Sequence, residues 1–203
     1  LMLQYIDCMT VKRTHFISYW LFITAFFVFC MAIIGAITRL TESGLSMVEW
    51  RPLIGTLPPL SQQEWERVFA LYQETPEYQK QHFWMELEDF KTIFFWEWFH
   101  RFWGRLIGLV YALPLAFFWL KGWVPSRFKI KLLSLLGLGG AQAVMGWYMV
   151  ESGLVDMPSV SHYRLAAHLS LAFIIFACLV WVGLEIRHNE KVRISNIAPL
   201  GAT

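Results

Sequence analysis

The chain alternates between long apolar runs and shorter polar stretches, and four of the apolar runs are long enough to cross a membrane. A membrane-spanning helix needs about 20 apolar residues at a rise of about 1.5 Å each. We therefore predict a single transmembrane domain, residues 1–203, with four spans at residues 16–38, 93–120, 130–150 and 163–186. Hydrophobic residues make up 57% of the chain and charged residues 16%, a balance that favours a membrane protein over a soluble domain.

The polar stretches that connect the predicted spans differ in length and charge. Residues 39–92 form a long outer segment with nine acidic and five basic side chains. Basic residues flank the opposite ends of the spans: Lys12, Arg13, Lys121, Arg127, Lys129, Lys131, Arg187, Lys191 and Arg193. Because Lys and Arg gather on the cytoplasmic or matrix side of a membrane, we predict that both termini lie on that side.

The outer segment has the pattern of two short amphipathic helices lying at the membrane surface. Ser61 and Glu64 have the spacing of a capping box, and helically spaced aromatic residues follow them. Further on, Thr75 is a candidate N-cap and Pro76 a candidate first helical residue. The two helices form either a structural lid or a cover over a site at the outer face, and the sequence leaves both alternatives open.

The tetrapeptide Glu-Ser-Gly-Leu occurs twice, at residues 42–45 and 151–154, each time after an apolar run and before a run that contains a histidine. Since glycine tolerates the left-handed conformation that closes a helix, we expect Ser-Gly to end the preceding helix in both copies. The chain then consists of two helical hairpins of one kind. This repeat predicts an all-α, four-helix membrane bundle, and such bundles bind cofactors between facing helices.

Two histidines occupy matched positions in the predicted spans. His100 lies seven residues after Ile93, and His168 lies five after Tyr163, so both are roughly 8–10 Å below the outer boundary. Two imidazoles at equal depth can bind one haem iron from opposite sides. Gly104, with Gly108 one turn later, either clears a groove for a flat macrocycle or packs two helices together.

Charged residues accompany these histidines inside the predicted spans. Glu97 precedes His100 by three residues, so it is a candidate for acid–base or charge-stabilising chemistry, and the alternative is an ion pair with Arg101. Four arginines are candidate partners of haem propionates: Arg39, Arg101, Arg105 and Arg164. The remaining histidines, His15, His82, His162 and His188, are assigned to the membrane interface.

Other functional classes lack support in the sequence. The net charge is only +2, and no basic cluster interleaved with aromatic residues indicates nucleic-acid binding. The three cysteines, Cys8, Cys30 and Cys178, do not have the spacing of a zinc site. We therefore expect no nucleic-acid partner, and the alternatives that remain are a membrane enzyme, an electron-carrying cytochrome and a structural subunit.

Three stretches resemble one known family closely: "GAITRLTESGLSMVEWRPLIGTLPPLS", "EWFHRFWGRLIG" and "MGWYMVESGLVDMPSVSHYRLAAHL". Together they are similar to the haem A synthase family in its alpha-proteobacterial and mitochondrial form, from about Ile33 to Leu169. The resemblance implies an oxidoreductase that converts haem O to haem A, oxidising a ring methyl group to a formyl group for cytochrome oxidase. It also implies that Glu97 is the essential carboxylate and that His100 and His168 hold the substrate haem.

The resemblance carries further expectations. Family members have eight spans, and their second half binds a haem b, so we expect this chain to be the N-terminal half of such a protein. Haem O is the expected substrate, with haem O synthase and oxidase assembly factors as candidate partners and a homo-oligomer left open. The expected location is the bacterial inner membrane, with the mitochondrial inner membrane as the alternative. The competing function is a b-type cytochrome that only transfers electrons.

Overall fold

The computed structural model describes residues 2–49, 57–154 and 159–197. Within these ranges the chain forms helices and no strand: α1 (Met2–Leu40), α2 (Gln62–Gln73), a π-helical turn (Tyr78–His82), α3 (Leu87–Leu120), α4 (Ser126–Leu154) and α5 (His162–Ile197). Helices α1, α3, α4 and α5 are long and apolar enough to cross a membrane. The predicted all-α membrane class is confirmed, and each of the four helices extends beyond the span predicted for it.

Many large apolar side chains on these four helices are exposed, among them Phe26, Leu113, Ile130 and Trp181. Water would solvate such surfaces poorly, whereas lipid tails are as apolar as the side chains themselves. The exposed surface is therefore the surface expected of an integral membrane protein.

The helix end in the first Glu-Ser-Gly-Leu copy differs from the prediction. Glu42, and not Gly44, adopts the left-handed conformation, with φ 52°. The N–H of Ser43 bonds the carbonyl of Thr38, and the N–H of Glu42 bonds that of Arg39, so a Schellman motif closes α1. In the second copy, α4 continues to Leu154, and residues 155–158 of the loop lie outside the described ranges. The expectation that Ser-Gly ends both helices is wrong.

The outer segment folds on a cluster of aromatic side chains. Ser61 caps α2 by accepting a hydrogen bond from the N–H of Glu64, as its position predicts. The second predicted helix is present at residues 76–82, with Tyr78–His82 in π-helical form, and Thr75 accepts a bond from the N–H of Tyr78 as predicted. A buried cluster joins these elements to the start of α3: Tyr72, Met85, Phe90, Ile93 and Phe94. The outer segment is thus a packed structure with its own apolar core.

The protein divides into two compact units, each with segments of all four long helices. The first comprises the described residues of 1–28, 107–139 and 173–203. Side chains there bond the backbone of neighbouring helices: Trp20 Nε1 donates to the carbonyl of Val110, and Tyr111 Oη donates to that of Leu132. The second unit comprises the described residues of Phe29–Leu106 and Gly140–Ala172. It contains the described part of the outer segment and the residues predicted to form the site: Glu97, His100, Arg101, Gly104, Arg105, Arg164 and His168.

Candidate functional site

Each intramembrane histidine faces a glycine on the helix that precedes it within its hairpin. A Cβ atom added to Gly35 on α1 would lie 3.4 Å from Nε2 of His100 on α3. A Cβ atom added to Gly146 on α4 would lie 3.1 Å from Cε1 of His168 on α5. A larger residue at either position would occupy the space that the imidazole uses. The two hairpins therefore share a packing arrangement as well as a sequence motif.

The two imidazoles both belong to the second unit, one on α3 and the other on α5. The side-chain amide of Gln142 on α4 contacts His168, with Nε2 of the amide 3.2 Å from Nε2 of the ring and 3.1 Å from the carbonyl oxygen of His168. Gln142 thereby orients the ring. A ligand that binds Nε2 of His168 would displace the amide of Gln142 from that nitrogen.

Three buried polar atoms in the described part of this unit have no hydrogen-bond partner: Arg105 Nη1, Gln142 Oε1 and His168 Nδ1. A buried polar atom without a partner costs about 1–3 kcal/mol. All three belong to side chains of α3, α4 and α5 around the histidines. Arginine donors suit carboxylates, so the unsatisfied donor of Arg105 fits a macrocycle that carries acidic groups. The nitrogen of His168 available to iron is Nε2, which Gln142 contacts.

Glu97 is 2% exposed and accepts hydrogen bonds at both of its carboxylate oxygens. Ser46 Oγ and the N–H of Met47 each lie 2.7 Å from Oε2. Arg101 donates to Oε1 and also to the carbonyl of Met47, at 3.2 Å. The ion pair left open by the sequence is therefore present. The carboxylate also ties residues 46 and 47, which follow the repeated tetrapeptide, to α3.

The other predicted site residues have different surroundings. The guanidinium of Arg164 lies 3.7 Å from the ring centre of Tyr148 and donates to the carbonyl of Tyr148, at 2.8 Å. Gly104 packs against α1, because a Cβ atom added to it would lie 3.4 Å from Cε of Met31. A Cβ atom added to Gly108 would meet nothing within 4 Å. Arg39 is exposed at the end of α1. Of the four predicted arginines, Arg105 has the buried, unsatisfied donor.

His82 differs from its interfacial assignment, because only 4% of it is exposed. Its Nδ1 lies 2.7 Å from Oη of Tyr72, and its Nε2 lies 3.1 Å from the carboxylate of Glu42. No local pattern predicts this contact, since 40 residues separate Glu42 from His82. Gly35, Gly146 and Gln142 were also missed. The two glycines could have been found from the repeat, because each lies on the helix that precedes a histidine-bearing helix.

The described residues contain no group of three or more His, Cys, Asp and Glu side chains that could hold a metal ion by themselves. Two histidines in one unit are nevertheless a sufficient protein contribution where a macrocycle supplies the other ligands of iron. The site is therefore suited to a metal that arrives within an organic ring, and this is consistent with the unsatisfied donor of Arg105.

The helices and the site define an integral membrane protein with a buried polar site between its helices. The chain belongs to the COX15-CtaA family of cytochrome oxidase assembly proteins, whose model matches residues 18–201. Named relatives include the haem A synthases of Maricaulis maris, 53% identical over 87% of this chain, and of Nitrosospira multiformis, 53% identical over 84%. The haem A synthase of Agrobacterium fabrum is 51% identical over 88% of the chain.

The match covers 52% of the Maricaulis protein, 48% of the Nitrosospira protein and 49% of the Agrobacterium protein. The chain thus spans about half the length of the curated relatives it matches. No solved structure gives a significant match. The predicted family is confirmed by the family model and by these identities.

Proposed function

We propose that this chain carries the substrate site of a haem A synthase, which oxidises a methyl group of haem O to the formyl group of haem A. The observation that supports this best is the pair of histidines, each facing a glycine, in one unit with an unsatisfied arginine donor. The names of the relatives supply the reaction class. Written with water as the oxygen source, the conversion of methyl to formyl releases four protons and four electrons, and in this proposal the electrons pass to the haem b that the second half of the family's proteins binds.

In this proposal His100 and His168 are the axial ligands of the substrate iron. The bound haem supplies both the iron and the methyl group that is oxidised. Arg105 donates its unsatisfied N–H to a propionate, and Gln142 holds the ring of His168 until iron binds. The proposed binding set also includes Gly104, Arg101 and Arg164. Arg101 acts through its ion pair with Glu97, and Arg164 lies at the rim of the site beside Tyr148.

Glu97 has the proposed catalytic role. Its carboxylate lies on α3 one helical turn before His100 and is held by donors from three residues, so its position is fixed without water. A fixed negative charge near the ring edge stabilises positive charge that develops as electrons leave the methyl group. Arg101 and the Ser46–Met47 backbone keep that charge in place.

The pigment bound to the purified full chain tests this function. A modifying enzyme expressed in cells that make haem O should co-purify with haem O, the hydroxylated intermediate or haem A, identified by chromatography of the extracted pigment. Haem B alone would favour the b-type cytochrome. A colourless protein that also fails to take up added haem O would contradict both haem functions.

We also propose in which membrane the protein acts and on which side its termini lie. The relatives named above are bacterial, so the bacterial inner membrane is the proposed site of action, with haem O synthase and oxidase assembly factors as partners that deliver haem O and receive haem A. The basic residues that flank the spans support cytoplasmic termini. The histidine site and the outer segment then belong to the opposite, outer half of the membrane.

We predict the topology from this charge asymmetry. A reporter fused after Arg187 should give cytoplasmic activity, and a reporter inserted at Gln73, at the end of α2, should give external activity. Paired alkaline phosphatase and fluorescent-protein fusions at each position measure both sides of the membrane. The reversed result at both positions would place the termini outside and the outer segment in the cytoplasm.

A glycine substitution should perturb the site through a single methyl group. Gly146→Ala places a Cβ atom 3.1 Å from the ring of His168, so the ring must move by a few tenths of an ångström. We expect haem affinity to fall by about tenfold, equivalent to about 1.4 kcal/mol, as measured by haem titration. Gly137→Ala on the same helix is the matched control, because Gly137 belongs to the first unit and its methyl group meets nothing within 4 Å. Equal affinity of the two variants would remove Gly146 from the site.

A further inference from the structure

A chain of hydrogen bonds runs through the outer segment, apart from the histidine site. Glu77 Oε2 lies 3.0 Å from Oη of Tyr72, which lies 2.7 Å from Nδ1 of His82. His82 Nε2 in turn lies 3.1 Å from the carboxylate of Glu42. Tyr72, Glu77 and His82 are buried, at 0%, 4% and 4% exposure, whereas the side chain of Glu42 is 60% exposed. The chain therefore leads from a buried carboxyl group to the protein surface.

The proton count of this chain allows two states with the same positions of the heavy atoms. The hydroxyl of Tyr72 has one proton and two partners, so it donates either to Glu77 or to His82. If it donates to a neutral His82, then Glu77 must be protonated and donate to Tyr72. If it donates to an ionised Glu77, then His82 must be protonated at Nδ1. In both states His82 Nε2–H donates to Glu42.

The surroundings favour the state with a protonated Glu77. Burial raises the pKa of Glu77 to about 8, although the hydrogen bond from Tyr72 opposes the rise. The charged groups that act on Glu77 are Glu97 on α3 and Glu42 and Arg39 at the end of α1; the two carboxylates raise its pKa and Arg39 lowers it. Burial also raises the pKa of Tyr72 above its ordinary range, so Tyr72 stays a phenol in both states.

Glu42 is held at the surface end of the chain in a conformation that costs energy. Its left-handed φ of 52° is unfavourable for a residue with a Cβ atom, by about 1–2 kcal/mol. Gly122 closes α3 with the same hydrogen-bond pattern at φ 65°, where no such cost arises. A glycine at position 42 would adopt this backbone conformation without that energetic cost. The carboxylate that glycine lacks is the group that meets His82.

We propose that Glu77, Tyr72 and His82 form a proton relay that connects a buried carboxyl group with water at the exposed carboxylate of Glu42. In one passage the Glu77 proton moves to the oxygen of Tyr72 while the hydroxyl proton of Tyr72 moves to Nδ1 of His82. The resulting imidazolium gives its Nε2 proton to Glu42, which releases it to water. The balance is one proton from Glu77 to water, with Tyr72 still a phenol, His82 left neutral with its proton on Nδ1 instead of Nε2, and no electron transferred. Proton movement along the same path in the opposite direction restores the first state.

The relay also has a place in the proposed function, and this link rests on that proposal. Oxidation of a methyl group to a formyl group, with water as the oxygen source, releases four protons near Glu97. Glu97 acts electrostatically on both Glu77 and Tyr72. The protonation of the relay would therefore respond to a change of charge at Glu97.

Infrared spectroscopy of the full chain in lipid bilayers tests the relay without any haem. We expect the carbonyl band of a protonated carboxylic acid that is absent in Glu77→Gln and that titrates with a midpoint of about 8. After transfer to heavy water, hydrogen–deuterium exchange of this band should slow on the order of 10²-fold in Tyr72→Phe. Tyr78→Phe is the matched control, since the hydroxyl of Tyr78 contacts Gln73 and the carbonyls of Phe83 and Met85 and lies outside the chain.

His82→Gln separates a relay from a structural contact. Glutamine keeps one donor and one acceptor, but its amide does not pass protons at neutral pH, so exchange should be slow while thermal stability stays close to that of the unsubstituted protein. A wild-type exchange rate in Tyr72→Phe or in His82→Gln would overturn the relay. An ionised Glu77 at neutral pH would overturn it as well. Because neither readout needs haem, failure of the relay is distinguishable from failure of the proposed function.

Discussion

Replacing His100 or His168 by alanine will abolish or sharply weaken low-spin haem binding by the purified chain. Two imidazoles provide both axial ligands in the proposed site, so removal of either leaves iron with one protein ligand. Each histidine also has a glycine opposite it, which has no side chain to replace the lost imidazole. Haem content per chain and the absorption spectrum, measured after purification with added haem O, report the loss.

The control for these variants is His162→Ala. His162 begins the helix that carries His168 and is exposed, so its loss removes an imidazole without affecting the proposed site. It should bind haem as the unsubstituted protein does. If His168→Ala binds haem with unchanged spectrum and affinity, the two histidines do not share an iron, and the repeat in the sequence reflects helix packing alone.

Glu97→Gln will bind haem O but fail to oxidise it, with a loss of rate on the order of 10²–10⁴-fold. Glutamine keeps the size of the side chain and removes its charge. In Glu97, Ser46 and Met47 donate to one carboxylate oxygen and Arg101 donates to the other. The NH2 group of glutamine would therefore face a hydrogen-bond donor, and not an acceptor, in either orientation of the amide. Single-turnover conversion of bound haem O, followed by pigment extraction, separates binding from oxidation.

Ser46→Ala distinguishes the charge of Glu97 from its position. This substitution removes one donor to Oε2 and leaves the carboxylate, the Met47 N–H and Arg101 in place. We expect a loss of about tenfold or less, in line with one hydrogen bond of about 1.5–3 kcal/mol to a charged group, most of it expressed in stability. Normal conversion by Glu97→Gln would instead make the pair with Arg101 a structural contact.

The sequence predicts those features that depend on local pattern. The four spans followed from apolar runs, and Ser61 was correctly placed at the start of α2, because both are set by residues close together in the chain. The ion pair of Glu97 with Arg101 was one of two stated alternatives, since residues four apart on a helix are neighbours. The predicted span ends were less accurate, because helices α3, α4 and α5 continue through polar residues outside the apolar runs.

Features that depend on tertiary contact were beyond the sequence pattern. Gly44 looked like the residue that closes α1, but Glu42 takes the left-handed position, where its carboxylate also meets a histidine 40 residues away. His82 looked interfacial because its burial depends on α2 folding over it. The glycines that face the two histidines are distant from them in the sequence, and only the packing of each hairpin pairs them.

The axial ligands of the bound iron are the most direct test of the central claim, that His100 and His168 hold one haem. Near-infrared magnetic circular dichroism of the haem-loaded chain, together with electron–nuclear spectroscopy on protein labelled with nitrogen-15 histidine, identifies both ligands in the unsubstituted protein. We predict one low-spin iron per chain with two histidine nitrogens, one of which disappears in each single variant that still retains residual haem. A spectrum with one histidine nitrogen, or with none, would contradict the shared site.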